Sequence, residues 1–367
     1  MAVAVPCLCP YEEQPPSTLP AVLGGAARPD NVHLDEAELA LEALKGTSTL
    51  PDECAEGVEH KPGTPCASKR VLALITDFVE EAKKEGAHKI TREKALGQAL
   101  EAFANSTTLP TSADGAPVRE AAALLGCSSE SCVLAHPAVH EFVEQQKQVP
   151  AAALDAELEV RFKAAGPRDS LALLSNFNID ETLQRWARAF SFFFPCPFAM
   201  MDFDRNGDLF GAIDLVDVLE GRIPVNLGTA RVMRKSTCFG CVLNTDSSSG
   251  PGKHWVAVFV DCREPADGKA WTVEYFNSAG RPPPKVVVGW MARTRAALAE
   301  HRNGSSGVEC VPVTDVGHQE SQTECGLYAM YYIRCRLEGI PTDFFFRHLI
   351  PDAAMTAFRK HVFRSGK

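Results

Sequence analysis

The hydrophobic pattern of the chain changes at residues 164–169, which read Ala-Ala-Gly-Pro-Arg-Asp. Before this point, apolar residues recur at three- and four-residue steps, as in 68–85 and 91–104, which is typical of amphipathic helices. After it, runs rich in β-branched and aromatic residues dominate, as in 254–262 and 271–278, and these predict buried strands. The sequence therefore predicts a helical first part followed by a part that contains a sheet.

A length of 367 residues is sufficient for two globular units. We predict a flexible Pro-, Ala- and Gly-rich arm at 1–30, a helical accessory domain at 31–165 and an α+β domain at 170–367, in which helices flank a sheet. Ser68 and Asp180 have side chains suited to helix N-caps. The same patterns predict further helices at 35–44, 118–127, 136–146, 178–194, 286–302 and 325–339, and further strands at 238–246 and 308–316.

The formal net charge of −10 is unevenly distributed. Residues 1–170 contain 15 Lys and Arg against 26 Asp and Glu, whereas residues 171–367 contain 22 against 21. Neither part has the basic excess that binding to a phosphate backbone needs, so nucleic acid is not an expected partner. No run of about 18 apolar residues is present, so we expect no membrane span.

Thirteen cysteines is an odd number, and their spacing does not suggest a compact disulfide framework. We therefore expect reduced thiols, mostly buried fillers, in an intracellular and reducing compartment. The N-terminus lacks a basic region and is interrupted by prolines, which does not fit a secretory signal.

Three polar residues of the second part stand at the ends of predicted elements. His254 opens one strand, Asn277 closes the next strand, and Cys325 opens a helix, so all three could meet at one edge of the sheet. A thiol nucleophile needs such a set, in which an imidazole takes the thiol proton and a third group orients the imidazole.

The position of Cys325 favours its thiolate form, because unpaired N–H groups and the helix dipole stabilise negative charge at a helix N-terminus. The same N–H groups can bind an oxyanion. Gln319 lies six residues earlier, and its amide can add a second donor. Other residues compete for these roles: His318 as the base, Asp261 and Asp315 as the orienting group, and Gln322 as the oxyanion donor.

Three segments, "HWVAVFVD", "YFNSAGRPPP" and "HQESQTECGLYAMYYI", carry a family resemblance. They resemble the His-Trp, Phe-Asp/Asn-Ser and Gln-x5-Cys-Gly motifs of the ubiquitin-like-protein protease superfamily, which includes the adenovirus protease. The resemblance extends over about 178–340. It is strongest with the proteases of this superfamily that large DNA viruses encode, among them the African swine fever virus polyprotein protease.

This resemblance implies a papain-like cysteine peptidase with a mixed central sheet flanked by helices and a helical N-terminal extension. It implies His254 as base, Asn277 as orienting group, Gln319 as oxyanion donor and Cys325 as nucleophile. Trp255 would form the wall of a narrow channel for small residues such as glycine, with Gly326 also at the substrate-binding site. Many relatives have Asp at the position of Asn277, and an amide stabilises imidazolium less than a carboxylate does.

The expected function is an endopeptidase that cuts viral structural precursors after Gly-Gly-like motifs, in the host cytoplasm or the virion. Its expected partner is a protein substrate, either a viral polyprotein or a ubiquitin-like conjugate. Three different functions compete with it: an isopeptidase for ubiquitin or SUMO conjugates, an acetyltransferase, and a catalytically silent docking protein of the virion. An acetyltransferase would need an acyl-CoA and an inositol-phosphate site, for which the sequence shows no basic cluster.

We expect no cofactor and no metal. Residues 238–241 (Cys-Phe-Gly-Cys) and 127–132 (Cys-Ser-Ser-Glu-Ser-Cys) have spacings that resemble half of a zinc site, but neither has a clear second pair. Residues 202–209 resemble the start of a calcium loop, yet Ile213 stands where such a loop has its bidentate glutamate.

Overall fold

Two hydrophobic clusters organise the part of the chain that the structure describes. One cluster is formed by residues of 54–162 and the other by residues of 164–363. The predicted arm at 1–30 and the predicted helices at 35–44 and 91–104 lie outside the described residues, and the predicted domain limits stay predictions. The computed structural model describes residues 53–55, 58, 61–86, 109–147, 149–167, 172–205, 208–228, 230–264, 270–302 and 307–364.

Five α-helices of the described residues build the first cluster, which agrees with the predicted helical character of this part. Ser68 precedes the first helix, and its hydroxyl accepts a hydrogen bond from the N–H of Val71 at 3.4 Å, as expected of an N-cap residue. The five helices are α1 (Lys69–Gly86), α2 (Ala116–Leu125), α3 (Glu130–Leu134), α4 (Pro137–Lys147) and α5 (Ala152–Arg161).

Two disulfides cross-link this helical part, so the expectation of reduced thiols is wrong for four cysteines. Cys54 is bonded to Cys66, and Cys127 is bonded to Cys132. The Cα atoms of the two pairs lie 5.1 and 5.6 Å apart, within the range that a disulfide spans. The Cys127–Cys132 bond also means that these two residues do not form half of a zinc site.

Two buried carboxyl groups link the segments that carry the disulfides. Glu130 accepts the backbone N–H groups of Cys66 and Ala67, both at 2.9 Å, and Glu53 accepts that of Ser131 at 2.8 Å. Burial raises the pKa of Glu130 to about 7, and the backbone hydrogen bonds oppose this shift. The two carboxyls thus satisfy backbone donors that would otherwise be buried without partners.

The second cluster contains a six-stranded mixed sheet made of β2 (Phe193–Pro195), β3 (Ala199–Met200), β6 (Cys238–Asn244), β7 (Trp255–Asp261), β8 (Trp271–Phe276) and β9 (Val308–Val313). The strand order is β2-β6-β7-β8-β9, and β3 also pairs with β6. Strand β6 runs parallel to β2, β7 is antiparallel to both β6 and β8, and β9 runs parallel to β8. The predicted α+β class with a mixed sheet is confirmed.

Two smaller pairings complete the strands. Strand β1 (Ala164–Ala165) pairs in parallel with β10 (Phe363–Arg364), and β4 (Pro224–Asn226) pairs with β5 (Arg231–Met233). The helices of this part are α6 (Asn176–Ala189), α7 (Leu209–Ala212), α8 (Leu215–Glu220), α9 (Lys285–His301), α10 (Cys325–Leu337), α11 (Asp343–Arg347) and α12 (Asp352–Val362).

Helix α6 differs from its prediction at both ends. Ser175 is the N-cap residue and forms a capping box with Asn178, whereas Asp180 lies inside the helix and accepts the N–H of Phe198 at 2.8 Å. The helix ends at Ala189 because the Phe-rich run that follows joins the sheet, where Phe194 stacks on Phe239 with ring centroids 5.9 Å apart.

A buried ionic cluster ties strand β8 to helix α10. The guanidinium of Arg336 contacts both carboxylate oxygens of Glu274 at 2.9 Å and Asp261 at 3.1 Å, and Tyr332 donates its hydroxyl to Glu274 at 2.6 Å. Glu274 is fully buried, so these donors replace the water that its charge would otherwise require. The contacts fix the strand that ends before Asn277 against the helix that begins with Cys325.

Candidate active site

The antiparallel pairing of β7 and β8 brings His254 and Asn277 together. Ala257 of β7 pairs with Phe276 of β8, so the start of β7 and the end of β8 lie at the same edge of the sheet. His254 comes directly before β7, and Asn277 comes directly after β8. The ends of two neighbouring strands therefore supply an imidazole and an amide at one place.

The amide of Asn277 has a defined orientation. Its Oδ1 accepts the backbone N–H of Ala279 at 3.0 Å, and its Nδ2 donates to the hydroxyl of Tyr275 at 3.1 Å. A backbone N–H can only donate, which identifies the oxygen. Burial raises the pKa of Tyr275 to about 12, so its phenol stays neutral near pH 7.

The same oxygen defines the tautomer of His254. Nε2 of His254 lies 2.9 Å from Oδ1 of Asn277, and since that oxygen only accepts, Nε2 must carry the proton. In a neutral imidazole the other nitrogen, Nδ1, then has the lone pair that can accept a proton. The arrangement is that of an oriented general base.

Cys325 is the first residue of helix α10, as predicted, and only 1% of the residue is exposed. The N–H groups of a first helical turn have no acceptor within the helix, so they can hold negative charge. Glu324 stands at the N-cap position but makes no side-chain cap bond, and its carboxylate pairs with Arg359 at 3.1 Å.

Gly326 brings the start of helix α10 against the residue that follows His254. A Cβ placed on Gly326 would lie 3.3 Å from Cδ1 of Trp255 and 3.2 Å from Cβ of Leu174, so a side chain there would be tightly confined. The His-Trp and Cys-Gly pairs are therefore neighbours in space, although about 70 residues of sequence separate them.

Trp255 is buried, and its indole N–H donates to the carbonyl of Leu174 at 3.3 Å. The ring packs edge-on against Phe198, with centroids 6.1 Å apart. Leu174 covers the indole in this structure, so the role of Trp255 as a channel wall stays a prediction.

Gln319 lies in the loop between β9 and helix α10, residues 314–324, which we call the Gln319 loop. Its side chain contacts Ser278, the residue after Asn277. Its Oε1 accepts the hydroxyl of Ser278 at 2.8 Å, and its Nε2 donates to the carbonyl of Ser321 at 2.7 Å. The loop is also anchored to helix α12, because Asp352 accepts the N–H of Ser321 at 2.7 Å. The structure thus brings Gln319 to the same sheet edge as His254 and Asn277.

His318, the rival base, occupies a position in the core. Its Nδ1 accepts the N–H of Ile350 at 3.2 Å, and its ring packs on Phe276 at 5.7 Å between centroids. Burial lowers the pKa of His318 to about 4. A nitrogen that already accepts a backbone hydrogen bond and protonates only in acid is a poor match for a base near pH 7.

The rival orienting groups are Asp261 and Asp315, and the rival oxyanion donor is Gln322. Asp261 ends β7, at the opposite end of the strand from His254, and it binds the guanidinium groups of Arg263 and Arg336. Asp315 has a positive φ of 73° in the loop after β9, where its backbone N–H donates to Gly280. Gln322 is exposed.

The side chains of the metal-like motifs are engaged in hydrogen bonds within the protein. Asp202 accepts the backbone N–H and the hydroxyl of Ser248, both at 2.9 Å, and Asp208 caps helix α7 through the N–H of Phe210. Cys241 donates its thiol to the carbonyl of Pro197. Within the described ranges, no group of three or more His, Cys, Asp and Glu side chains could hold a metal ion.

Two residues that hold the Gln319 loop, Ser278 and Asp352, have no role predicted from the sequence. Ser278 belongs to the Phe-Asn-Ser motif, so its position beside Asn277 is the signal that could have identified it. Nothing in the local pattern marks Asp352, because its contact with Ser321 spans 31 residues.

The chain matches the family model of the Ulp1 protease family, C-terminal catalytic domain, over residues 238–365. It is 41% identical over 324 residues to an African swine fever virus protein named a SUMO-1 cysteine protease, and this match covers 88% of the chain and 99% of the relative. A protein from another strain of this virus, named a cysteine protease, is 42% identical with the same coverage.

The crystal structure of an African swine fever virus protease is similar to this chain at 41% identity. The match has a TM-score of 0.67 and covers 88% of this chain and 98% of the viral one. No helix in the described ranges has the length and apolar character needed to cross a membrane.

Proposed function

Because this chain belongs to the Ulp1 protease family and is a cysteine peptidase, we propose that Cys325, His254, Asn277 and Gln319 form its catalytic site. The observation that carries the proposal is the hydrogen bond between His254 Nε2 and Asn277 Oδ1, which lies beside a helix that begins with a cysteine. The three elements at this site are β7, β8 and α10. Strands β7 and β8 pair in the sheet, and the Glu274–Arg336 contact joins β8 to α10.

In the proposed reaction, His254 Nδ1 takes the thiol proton of Cys325, and the thiolate attacks the carbonyl carbon of the scissile peptide bond. The carbonyl oxygen becomes an oxyanion, which an N–H of Gln319 and backbone N–H groups at the start of α10 can stabilise. The protonated His254 then gives its proton to the leaving amine as the C–N bond breaks. An acyl-enzyme thioester remains on Cys325.

The second half of the reaction releases the acyl group. His254 takes a proton from a water molecule, and the hydroxide attacks the thioester carbonyl. A second oxyanion forms at the same donors, the C–S bond breaks, and the Cys325 thiolate recovers the proton from His254. Asn277 holds the imidazole in one orientation throughout, because its oxygen can only accept the Nε2 proton.

We propose that the substrate is a viral structural precursor, cut after a Gly-Gly-like motif in the host cytoplasm or the virion. The two predicted substrate-binding residues, Trp255 and Gly326, are neighbours at the start of α10, where a Cβ on Gly326 would lie 3.3 Å from Cδ1 of Trp255. The viral origin of the relatives supports a viral precursor as the target.

A second candidate is an isopeptidase that removes a ubiquitin-like modifier, which the name of the SUMO-1 cysteine protease relative favours. Cleavage of an internal Gly-Gly-X peptide should be compared with cleavage of SUMO and ubiquitin conjugates under the same conditions. Preference for the peptide supports precursor processing, whereas preference for a conjugate would replace it with the isopeptidase.

The catalytic assignment is tested by Cys325→Ala, which should abolish cleavage of every substrate that the parent chain cuts. Cys310→Ser is the matched control, because Cys310 is exposed and lies on strand β9, away from the start of α10. Retained cleavage in Cys325→Ala, or equal loss in both variants, would refute the assignment of Cys325 as nucleophile.

A further inference from the structure

Ser278 contacts the Gln319 loop through both its main chain and its side chain. Its carbonyl accepts the N–H groups of His318 and Gln319 at 2.8 and 3.1 Å. Its hydroxyl donates to Oε1 of Gln319 at 2.8 Å, across 41 residues of sequence. Ser278 is 1% exposed, so water has little access to replace a lost hydroxyl.

The two side-chain contacts of Gln319 determine which way its amide faces. The carbonyl oxygen of Ser321 can only accept, so the atom that lies 2.7 Å from it must be Nε2. The atom facing Ser278 is then Oε1, which accepts the hydroxyl proton. Rotating the amide by half a turn would place two oxygens against each other at Ser321, which is unfavourable.

Nε2 of Gln319 carries a second N–H, which the contact with Ser321 does not use. This N–H is the group that an oxyanion would need. The direction of this N–H bond depends on the orientation of the amide plane, and the hydroxyl of Ser278 fixes that plane by donating to the amide oxygen, Oε1. Asn277, the preceding residue, orients His254 in the same way, by presenting a single oxygen.

We propose that Ser278 is a positioning residue, which holds the Gln319 amide with one N–H directed to the oxyanion. The inference rests on the proposed role of Cys325 as nucleophile. Two consecutive residues at the end of strand β8 would then orient both functions of the site: Asn277 orients the base, and Ser278 orients the oxyanion donor.

Two reactions of Cys325 can distinguish the role of Ser278 in orienting the oxyanion donor from a general effect of Ser278 on the reactivity of the thiol. p-Nitrophenyl acetate acylates the thiolate: a C–S bond forms, the ester carbonyl becomes an oxyanion, and its collapse expels p-nitrophenolate. Iodoacetamide alkylates the same thiolate by direct displacement of iodide, with no oxyanion. Both rates are measured at the Cys325 peptide by mass spectrometry, with Cys325→Ala as the blank.

Ser278→Ala should slow acylation about tenfold, the effect of one lost hydrogen bond, and should leave alkylation unchanged. Gln319→Ala should slow acylation about 100-fold, as expected for a lost oxyanion donor. Since Ser278 acts through Gln319, the double variant should be no slower than Gln319→Ala.

Three results would overturn the role of Ser278: unchanged acylation in Ser278→Ala, an equal fall of acylation and alkylation, or a further fall when Ser278→Ala is added to Gln319→Ala. If Cys325 of the parent chain undergoes neither reaction, the proposed nucleophile fails, and this inference fails with it. Neither reagent depends on a Gly-Gly motif, so an error in the proposed substrate would not affect the result.

Discussion

Asn277 binds the imidazole of His254 through a neutral oxygen, over 2.9 Å between Oδ1 and Nε2. A carboxylate in the same place would orient the ring equally well and would also attract its positive form. The amide therefore separates two effects that are usually combined, namely the choice of tautomer and the stabilisation of imidazolium.

Asn277→Asp should extend activity to higher pH. The added charge favours imidazolium, so His254 keeps its second proton to a higher pH and the alkaline limb of the kcat/KM profile moves upward. The measurement is a pH profile of peptide cleavage for the parent chain and the variant. An alkaline limb that stays in place, or moves to lower pH, would contradict the assigned pairing with His254.

His318→Asn should preserve catalysis, whereas His254→Asn should abolish it. The amide oxygen of Asn can replace Nδ1 of His318 as the acceptor for the N–H of Ile350, which lies 3.2 Å from that nitrogen. Cleavage rates of the two variants measured near pH 7 provide the comparison. Loss of cleavage in a folded His318→Asn protein would restore His318 as a candidate base.

His318 should also make stability depend on pH in a defined direction. Its pKa is about 4 in the folded protein, below the value of about 6.5 in an unfolded chain, so the unfolded state binds more protons between these limits. Its contribution is therefore fully present above pH 6.5 and is lost as the pH falls towards 4. Denaturant unfolding over this range should show a smaller fall for His318→Asn than for the parent.

The positions of His254, Asn277 and Cys325 could be predicted because each stands at the end of a strongly patterned element. The β-branched and aromatic run at 271–278 predicts a strand, and the structure has it at Trp271–Phe276, directly before Asn277. Cys325 likewise opens helix α10, as its apolar continuation predicts. Local pattern is sufficient when the boundary of an element is also the position of a functional residue.

Features that depend on distant partners could not be predicted in this way. Phe193–Pro195 is a short strand only because β6 pairs with it, and its sequence alone continues the apolar face of the preceding helix. The Ser278–Gln319 hydrogen bond joins segments 41 residues apart. The Cys54–Cys66 disulfide forms because folding brings two segments together that carry no local sign of pairing.

Arg336→Met should lower the free energy of unfolding by about 3–5 kcal/mol, because it leaves the fully buried Glu274 without its cationic partner. Urea unfolding measures this change. The double variant Glu274→Leu with Arg336→Met should be more stable than Arg336→Met alone, since it removes both charges, and Asp261 keeps its contact with Arg263. A double variant that is less stable than the single one would contradict the attribution of the loss to an unpaired Glu274 charge.

The two disulfides predict a specific response to reduction. When the native protein is alkylated, then reduced and alkylated again, the second step should label Cys54, Cys66, Cys127 and Cys132 among the described cysteines. Cys54→Ser should lower the free energy of unfolding by about 3 kcal/mol, as expected for a loop of this length, whereas Cys310→Ser should have little effect. Labelling of these four cysteines without prior reduction would contradict the pairing. Peptide cleavage should be retained in folded Cys54→Ser, because this disulfide lies in the first hydrophobic cluster, whereas Cys325 lies in the second cluster, which contains the sheet.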